Sequence, residues 1–225
     1  MKKIIYYSIK QATESENVGC WPQLEPPKRY WKIKNNYDDA LDFRKFPEEA
    51  PNLDHFTLKR IAKRTDVLSA EMPGVGSRIG MFVSDKFKTL VGNYALKDFR
   101  FYDCKLISLY DENFHKRNEP ELFHFNYLNL IHTTDLIDFK QSVYENLKTN
   151  QMVTIENEEQ RSMFLYPRKL VLTETPDLFC SPYDVSILVS EPLKAAIEEA
   201  GITGVWFDDH IVCEFYTADA EAADL

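Results

Sequence analysis

The chain reads as an α+β protein: two related strand–helix–strand repeats on a mostly antiparallel sheet, with an irregular N-terminal segment in front. Three observations predict this. One stretch of sequence recurs 106 positions later without a gap. Inside each copy the apolar period switches from two to 3.6 and back. A helix-capping serine stands at the first switch in both copies.

Taken in order, residues 3–9 read as a first strand. Residues 11–52 are irregular, interrupted by Pro22, Pro26, Pro27, Pro47 and Pro51. Trp21, Tyr30, Trp31, Tyr37, Phe43 and Phe46 are scattered through them and read as anchors that drape the segment over the core. Residues 37–43 suit a short helix. Residues 1–52 are therefore taken as a strand and an aromatic, proline-rich segment packed on a core of residues 53–216. That core divides into halves of about 53–110 and 122–216.

The first repeat is Met81-Phe82-Val83-Ser84-Asp85-Lys86-Phe87-Lys88, continuing to Leu96 and Phe99-Arg100-Phe101. The second is Ile187-Leu188-Val189-Ser190-Glu191-Pro192-Leu193-Lys194, continuing to Ile202 and Val205-Trp206-Phe207. In the second, Val185, Ile187 and Val189 alternate as a strand. Ser190 offers its hydroxyl to the unpaired N–H groups of a helix start, and Glu191 and Pro192 suit the first turn. Leu193, Ala196, Ile197 and Ala200 make one apolar stripe. Gly201 suits a left-handed helix end, which Ile202 closes by apolar contact. In the first, Ser84 and Asp85 do the capping, Phe87, Leu90 and Val91 make the stripe, and Ala95 replaces the glycine. Upstream, Asp66-Val67-Leu68 resembles Asp177-Leu178-Phe179, and residues 58–61 resemble 170–172. The first loop is longer and holds Pro73-Gly74-Val75-Gly76.

Between the repeats, residues 111–121 read as a polar connector and 122–130 as a strand. Residues 138–149 place Phe139, Val143 and Leu147 on one helical face. Residues 163–172 and 211–216 complete the strands, and 217–225 form an acidic, alanine-rich tail.

The length suits one sizeable domain with a core that needs no covalent staple. There is no run of 18 apolar residues. Lys2-Lys3 is followed only by Ile4-Ile5-Tyr6-Tyr7, too short for a signal core. A cytoplasmic protein without membrane contact is expected. Cys20, Cys104, Cys180 and Cys213 are far apart and suit reduced thiols.

The net charge of −9 is uneven. From residue 171 onward there are twelve acids and only Lys194 as a base, so residues 1–170 sum to +2. This argues against a nucleic-acid partner, which needs a basic face. It suits an acidic face for a cationic protein.

Chemistry is sparse. His55, His115, His124, His132 and His210 stand in no metal-ligand spacing and read as structural. Asp208-Asp209-His210 is the most site-like cluster, yet on a strand Asp208 and His210 share a face and Asp209 points away. Pro73-Gly74-Val75-Gly76-Ser77-Arg78 lacks the Lys-Ser/Thr of a phosphate loop. No nucleophile elbow or dinucleotide fingerprint occurs. No catalytic residue, cofactor or metal is assigned.

The second half carries Tyr127-Leu128-Asn129, the run Asp135 to Ser142, Asp177-Leu178-Phe179, and Val189-Ser190-Glu191 leading to Ala200-Gly201-Ile202-Thr203-Gly204. This order resembles a bacterial family of immunity proteins from polymorphic-toxin systems. The resemblance spans about residues 55–210 and implies a protein that binds and neutralises a cognate toxin. With Val205 and Phe207 inward, alternation turns Trp206 outward. Trp206, Asp208, Asp209 and Glu214 are therefore the expected toxin contacts. Two alternatives stand beside this reading: a non-catalytic ligand-binding or scaffold domain, and an enzyme using Asp208, His210 and Glu214.

Overall fold

The N-terminal apolar run forms two strands rather than one. A computed structural model describes residues 1–27, 45–46, 50, 53–70, 80–183, 186–209 and 213–217. It breaks that run at Ile5 into β1 (Lys2–Ile4) and β2 (Tyr6–Gln11). The break sends the two strands to different sheets. Helix α1 (Ser15–Val18) and β3 (Leu24–Glu25) follow, so the segment after residue 11 holds more regular structure than its prolines suggest. Trp21 is 58% exposed, against the anchoring role expected of it. Tyr30, Trp31, Tyr37 and Phe43, the helix expected at 37–43, and residues 73–78 lie outside the described residues.

Next come β4 (Thr57–Leu58), β5 (Val67–Leu68), β6 (Gly80–Val83) and α2 (Asp85–Val91). Then β7 (Phe99–Tyr110) and β8 (Lys116–Leu130) form one long hairpin, so residues 116–121 belong to a strand and not to a connector. The helix expected over 138–149 is absent, and β9 (Val143–Asn146) occupies its middle. The reason is local. The Ser142 hydroxyl donates to the Asp138 carbonyl at 2.6 Å and accepts from Val171 N–H at 3.0 Å, ending a turn and delivering the chain to a sheet. Tyr144 is then fully buried between more exposed neighbours, a period of two. The chain continues through β10 (Gln151–Val153), β11 (Leu165–Leu172), β12 (Leu178–Cys180), β13 (Ile187–Ser190), α3 (Glu191–Glu199), β14 (Val205–Asp208) and β15 (Glu214–Thr217). Among the described residues no helix is long and apolar enough to cross a membrane.

Sheet A has the order β1-β15-β11-β9-β10, sheet B β12-β13-β2-β14, and sheet C β3-β4-β7-β8-β6-β5. Pairings are antiparallel except β11–β15 and β4–β7. The protein is thus α+β with mostly antiparallel sheets.

Sheets B and C share a register. In sheet C, Val67 faces Val83, Phe82 faces Tyr127, and Phe101 faces Leu128. In sheet B, Leu178 faces Val189, Leu188 faces Ser8, and Phe207 faces Ile9. Aligned by the sequence repeat, Tyr127 matches Ser8 and Leu128 matches Ile9, whichever neighbouring strand is used. The order β12-β13-β2-β14 repeats β5-β6-β8-β7. β2, from the N-terminus, fills in sheet B the place that β8 fills in sheet C.

The helices are capped alike. Ser84 and Ser190 have extended backbones, and their hydroxyls accept from Phe87 and Leu193 N–H at 3.2 and 3.3 Å. Each hydroxyl also donates to an aspartate, Ser84 to Asp66 at 2.8 Å and Ser190 to Asp177 at 2.6 Å. The second oxygen of each aspartate crosses to the turn after the other helix. Asp66 accepts from the Thr203 N–H and hydroxyl at 3.0 and 2.9 Å, and Asp177 accepts from Ala95 N–H at 3.0 Å. α2 ends two positions earlier relative to its cap than α3 does. Gly201 after α3 has φ +61°, but Ala95, its counterpart after α2, is not left-handed; Asp98 at φ +50° instead matches Gly204 at φ +83°.

Three core clusters follow from the alternation. Met81, Val83, Ile187 and Val189 turn one way and meet Phe87, Val91, Leu193 and Ile197 of the helices. Phe82 turns the other way, to Phe56, Leu106 and Tyr127 under β3 and β4. Leu188 turns away likewise, to a cluster between sheets B and A, where Tyr6 sits edge-on to Phe179 and Phe215 at 5.1 and 5.2 Å. Each buried Leu or Phe contributes about 2–3 kcal/mol.

Candidate protein-docking face

β14 is preceded by Gly204, whose φ is +83° and whose place allows no side chain. A Cβ there would lie 2.2 Å from the Val67 carbonyl oxygen. From this fixed start the strand alternates. Val205 and Phe207 pack on the helix-side core, and Trp206 is 40% exposed on the opposite face. Trp206 pairs with Lys10, and Asp208 with Ser8. Lys10 Nζ lies 4.9 Å from the Trp206 ring centroid and 2.5 Å from Asp208 Oδ2. Trp206, Lys10 and Asp208 thus form one amphipathic strip along β2 and β14.

A cleft of about 610 Å³ opens where the chain passes from β1 to β2. Lys3, Ile5, Tyr7, Arg168, Asp209 and Glu214 line it. Glu214 accepts from Lys3 Nζ at 2.5 Å and from the Tyr216 hydroxyl at 2.8 Å. The Lys3 bond, then the Tyr216 bond, hold the Glu214 carboxyl below the usual carboxylate range. The same bond raises the Lys3 ammonium, and Glu214 raises the Tyr216 hydroxyl. Arg168 donates through Nε to Glu145 at 2.7 Å and stacks 4.8 Å from the Tyr166 ring.

Asp209 and Glu214 therefore meet in the cleft, while Trp206 and Asp208 share the strip. Lys3, Lys10 and Arg168 belong to the same surface, and sequence reasoning missed them. Their pairing lies far away in the chain, 211 residues for Lys3–Glu214 and 198 for Lys10–Asp208. The visible signal was the lysines at either end of the first apolar run, Lys3 and Lys10. The charge asymmetry of the sequence is partly cancelled in space. Lys97, like Lys3 and Lys10, comes from the basic part and reaches Glu174 at 3.7 Å.

The surface offers charge and aromatic contact. His210 lies outside the described residues. Among the described residues no group of three or more His, Cys, Asp or Glu is placed to hold a metal ion. His124 lies 3.2 Å from Asp85, whose carboxyl is held low, first by Asn126 and then by His124. These are contacts of a helix start.

No curated protein matches the chain. The profile of the Immunity protein family (Imm11) matches residues 6–211, from the first residue of β2 to beyond β14. That span covers both capped helices, both Asp–Ser contacts and the whole strip described above. The chain belongs to the Immunity protein family (Imm11).

Proposed function

We propose that the protein binds and neutralises a cognate toxin by occluding it. Membership of an immunity family over residues 6–211 carries this reading. Trp206 is the anchor, with Asp208, Asp209 and Glu214 as acidic contacts. A half-exposed tryptophan beside charged groups has the make-up of an interface hot spot. Lys10 and Lys3 hold Asp208 and Glu214 in place before the partner arrives. A toxin arginine must displace those lysines, so the acids steer encounter and select the partner more than they add affinity. No catalytic residue, metal or cofactor enters the reading, and the toxin is met in the cytoplasm. We also read residues 53–110 and 122–216 as halves of a duplicated core; the matching registers of sheets B and C support the duplication, with β8 completing the first unit and β2 the second.

The test uses Trp206→Ala and the pair Asp208→Lys with Asp209→Lys, each checked for folding by circular dichroism. Trp206→Ala is expected to weaken toxin binding by about 2 kcal/mol, roughly thirtyfold. The lysine pair is expected to slow association and to weaken its dependence on salt. Folded variants that bind and protect like wild type would remove this face and move attention to residues 11–52.

A further inference from the structure

Natural sheets protect their edges with charge, proline or a covering segment. β1 carries Lys2 and Lys3, and β14 carries Asp208. β3 ends in Glu25 and is followed by Pro26 and Pro27. β12 takes hydrogen bonds from Lys97 and Thr133 N–H on its Leu178 and Cys180 carbonyls. β5 is held by Thr203, whose carbonyl accepts from Val67 N–H, and by the Gln11 amide on Leu68. β10 differs. It closes sheet A with Gln151-Met152-Val153, without charge or proline, and Met152 is 62% exposed. Beside it, Leu147 N–H donates to the Phe164 carbonyl, and Leu147, Met163 and Phe164 are exposed by 51%, 86% and 38%.

We propose that this edge is where a second copy of the chain docks, β10 against β10 in antiparallel pairing across a two-fold axis. The charge distribution selects this occupant. Residues 143–169 hold four acids and four bases, so the segment is neutral, while the rest of the chain carries the whole −9. Two identical acidic surfaces repel, but this one meets its copy without a net like charge. Centred on Met152, the pairing sets Met152 against its twin and brings both apolar rims together. β10 lies three strand spacings from β15 in sheet A, about 14 Å, so the Glu214 side of the cleft is off the docking edge, and the Trp206 strip belongs to another sheet.

Sedimentation equilibrium of the full chain over a wide concentration range tests this. Wild type is expected to approach twice 26.3 kDa. Met152→Lys places two ammonium groups face to face and is expected to weaken association at least roughly tenfold. Its exposure lets the variant fold, which a thermal melt checks. A wild type that stays at 26.3 kDa, or a Met152→Lys dimer as tight as wild type, would overturn the proposal.

Discussion

Replacing Asp66 by alanine removes three accepted hydrogen bonds at once, from the Ser84 hydroxyl and from the Thr203 hydroxyl and N–H. The expected loss is about 2 kcal/mol in a urea titration, because the brace on the Ser84 cap and the tie to the turn after α3 go together. The effect is pH-dependent. Burial pushes the Asp66 carboxyl up, but the Thr203 and Ser84 bonds and the Lys86 charge outweigh it and leave it below its usual range. A depressed folded value gives stability that is full above the unfolded value near about 4 and lost as pH falls through the folded one. Asp66→Asn is therefore expected to trail wild type at neutral pH and to converge on it in acid. Glycines separate in the same way. Gly201 has open space for a Cβ, so Gly201→Ala meets only backbone strain of about 1 kcal/mol. Gly204→Ala drives a Cβ into the Val67 carbonyl and the Thr65 side chain, and its melting temperature is expected to fall much further. Ser8 offers an opposite case. Its buried hydroxyl has no hydrogen-bond partner among the described residues, so Ser8→Ala is expected to stabilise by about 1 kcal/mol.

At the scale of elements, the two capped helices were legible because their signals are local: serine, first-turn acid and an apolar stripe lie within ten residues. The β9 segment was not, because Val143 and Leu147 fit a helical face as well as a strand, and the deciding bond comes from Val171 in another strand. The division of the first run at Ile5 was equally hidden, since nothing in Lys-Lys-Ile-Ile-Tyr-Tyr states that its halves have different partners. The outward turn of Trp206 was readable by counting, but the lysines that hold Asp208 and Glu214 were not. The Asp66 and Asp177 matches were visible as a likeness, without the crossing bonds that explain them. The central place of β2 has a measurable outcome. Ile9 is 3% exposed between β13 and β14, and Ile9→Ala is expected to cost about 3 kcal/mol. A loss typical of a surface position, under about 0.5 kcal/mol, would contradict that placement.

For the whole molecule, the crossing aspartates tie sheets B and C together. Each aspartate braces one helix start and holds the turn after the other helix, and the helices share one core cluster. Calorimetry is expected to record a single transition whose van't Hoff and calorimetric enthalpies agree. Two resolved transitions would show that the halves melt separately. The strip and cleft belong to this same level, since they draw residues from β1, β2, β14 and β15.

The position of β2 also governs when the protein becomes whole during its synthesis. β2 leaves the ribosome long before its partners: one neighbour, β13, begins 176 residues after β2 ends, and the other, β14, comes later still. At translation rates of about 5–20 residues per second, that strand waits on the order of ten seconds or more with both edges unpaired. Its apolar face and bare backbone must be shielded by the rest of the nascent chain or by a chaperone. A product that stops before residue 187 never closes sheet B. Such a fragment offers an unprotected strand to its neighbours, so incomplete synthesis yields an aggregation hazard and not a weaker version of the same protein.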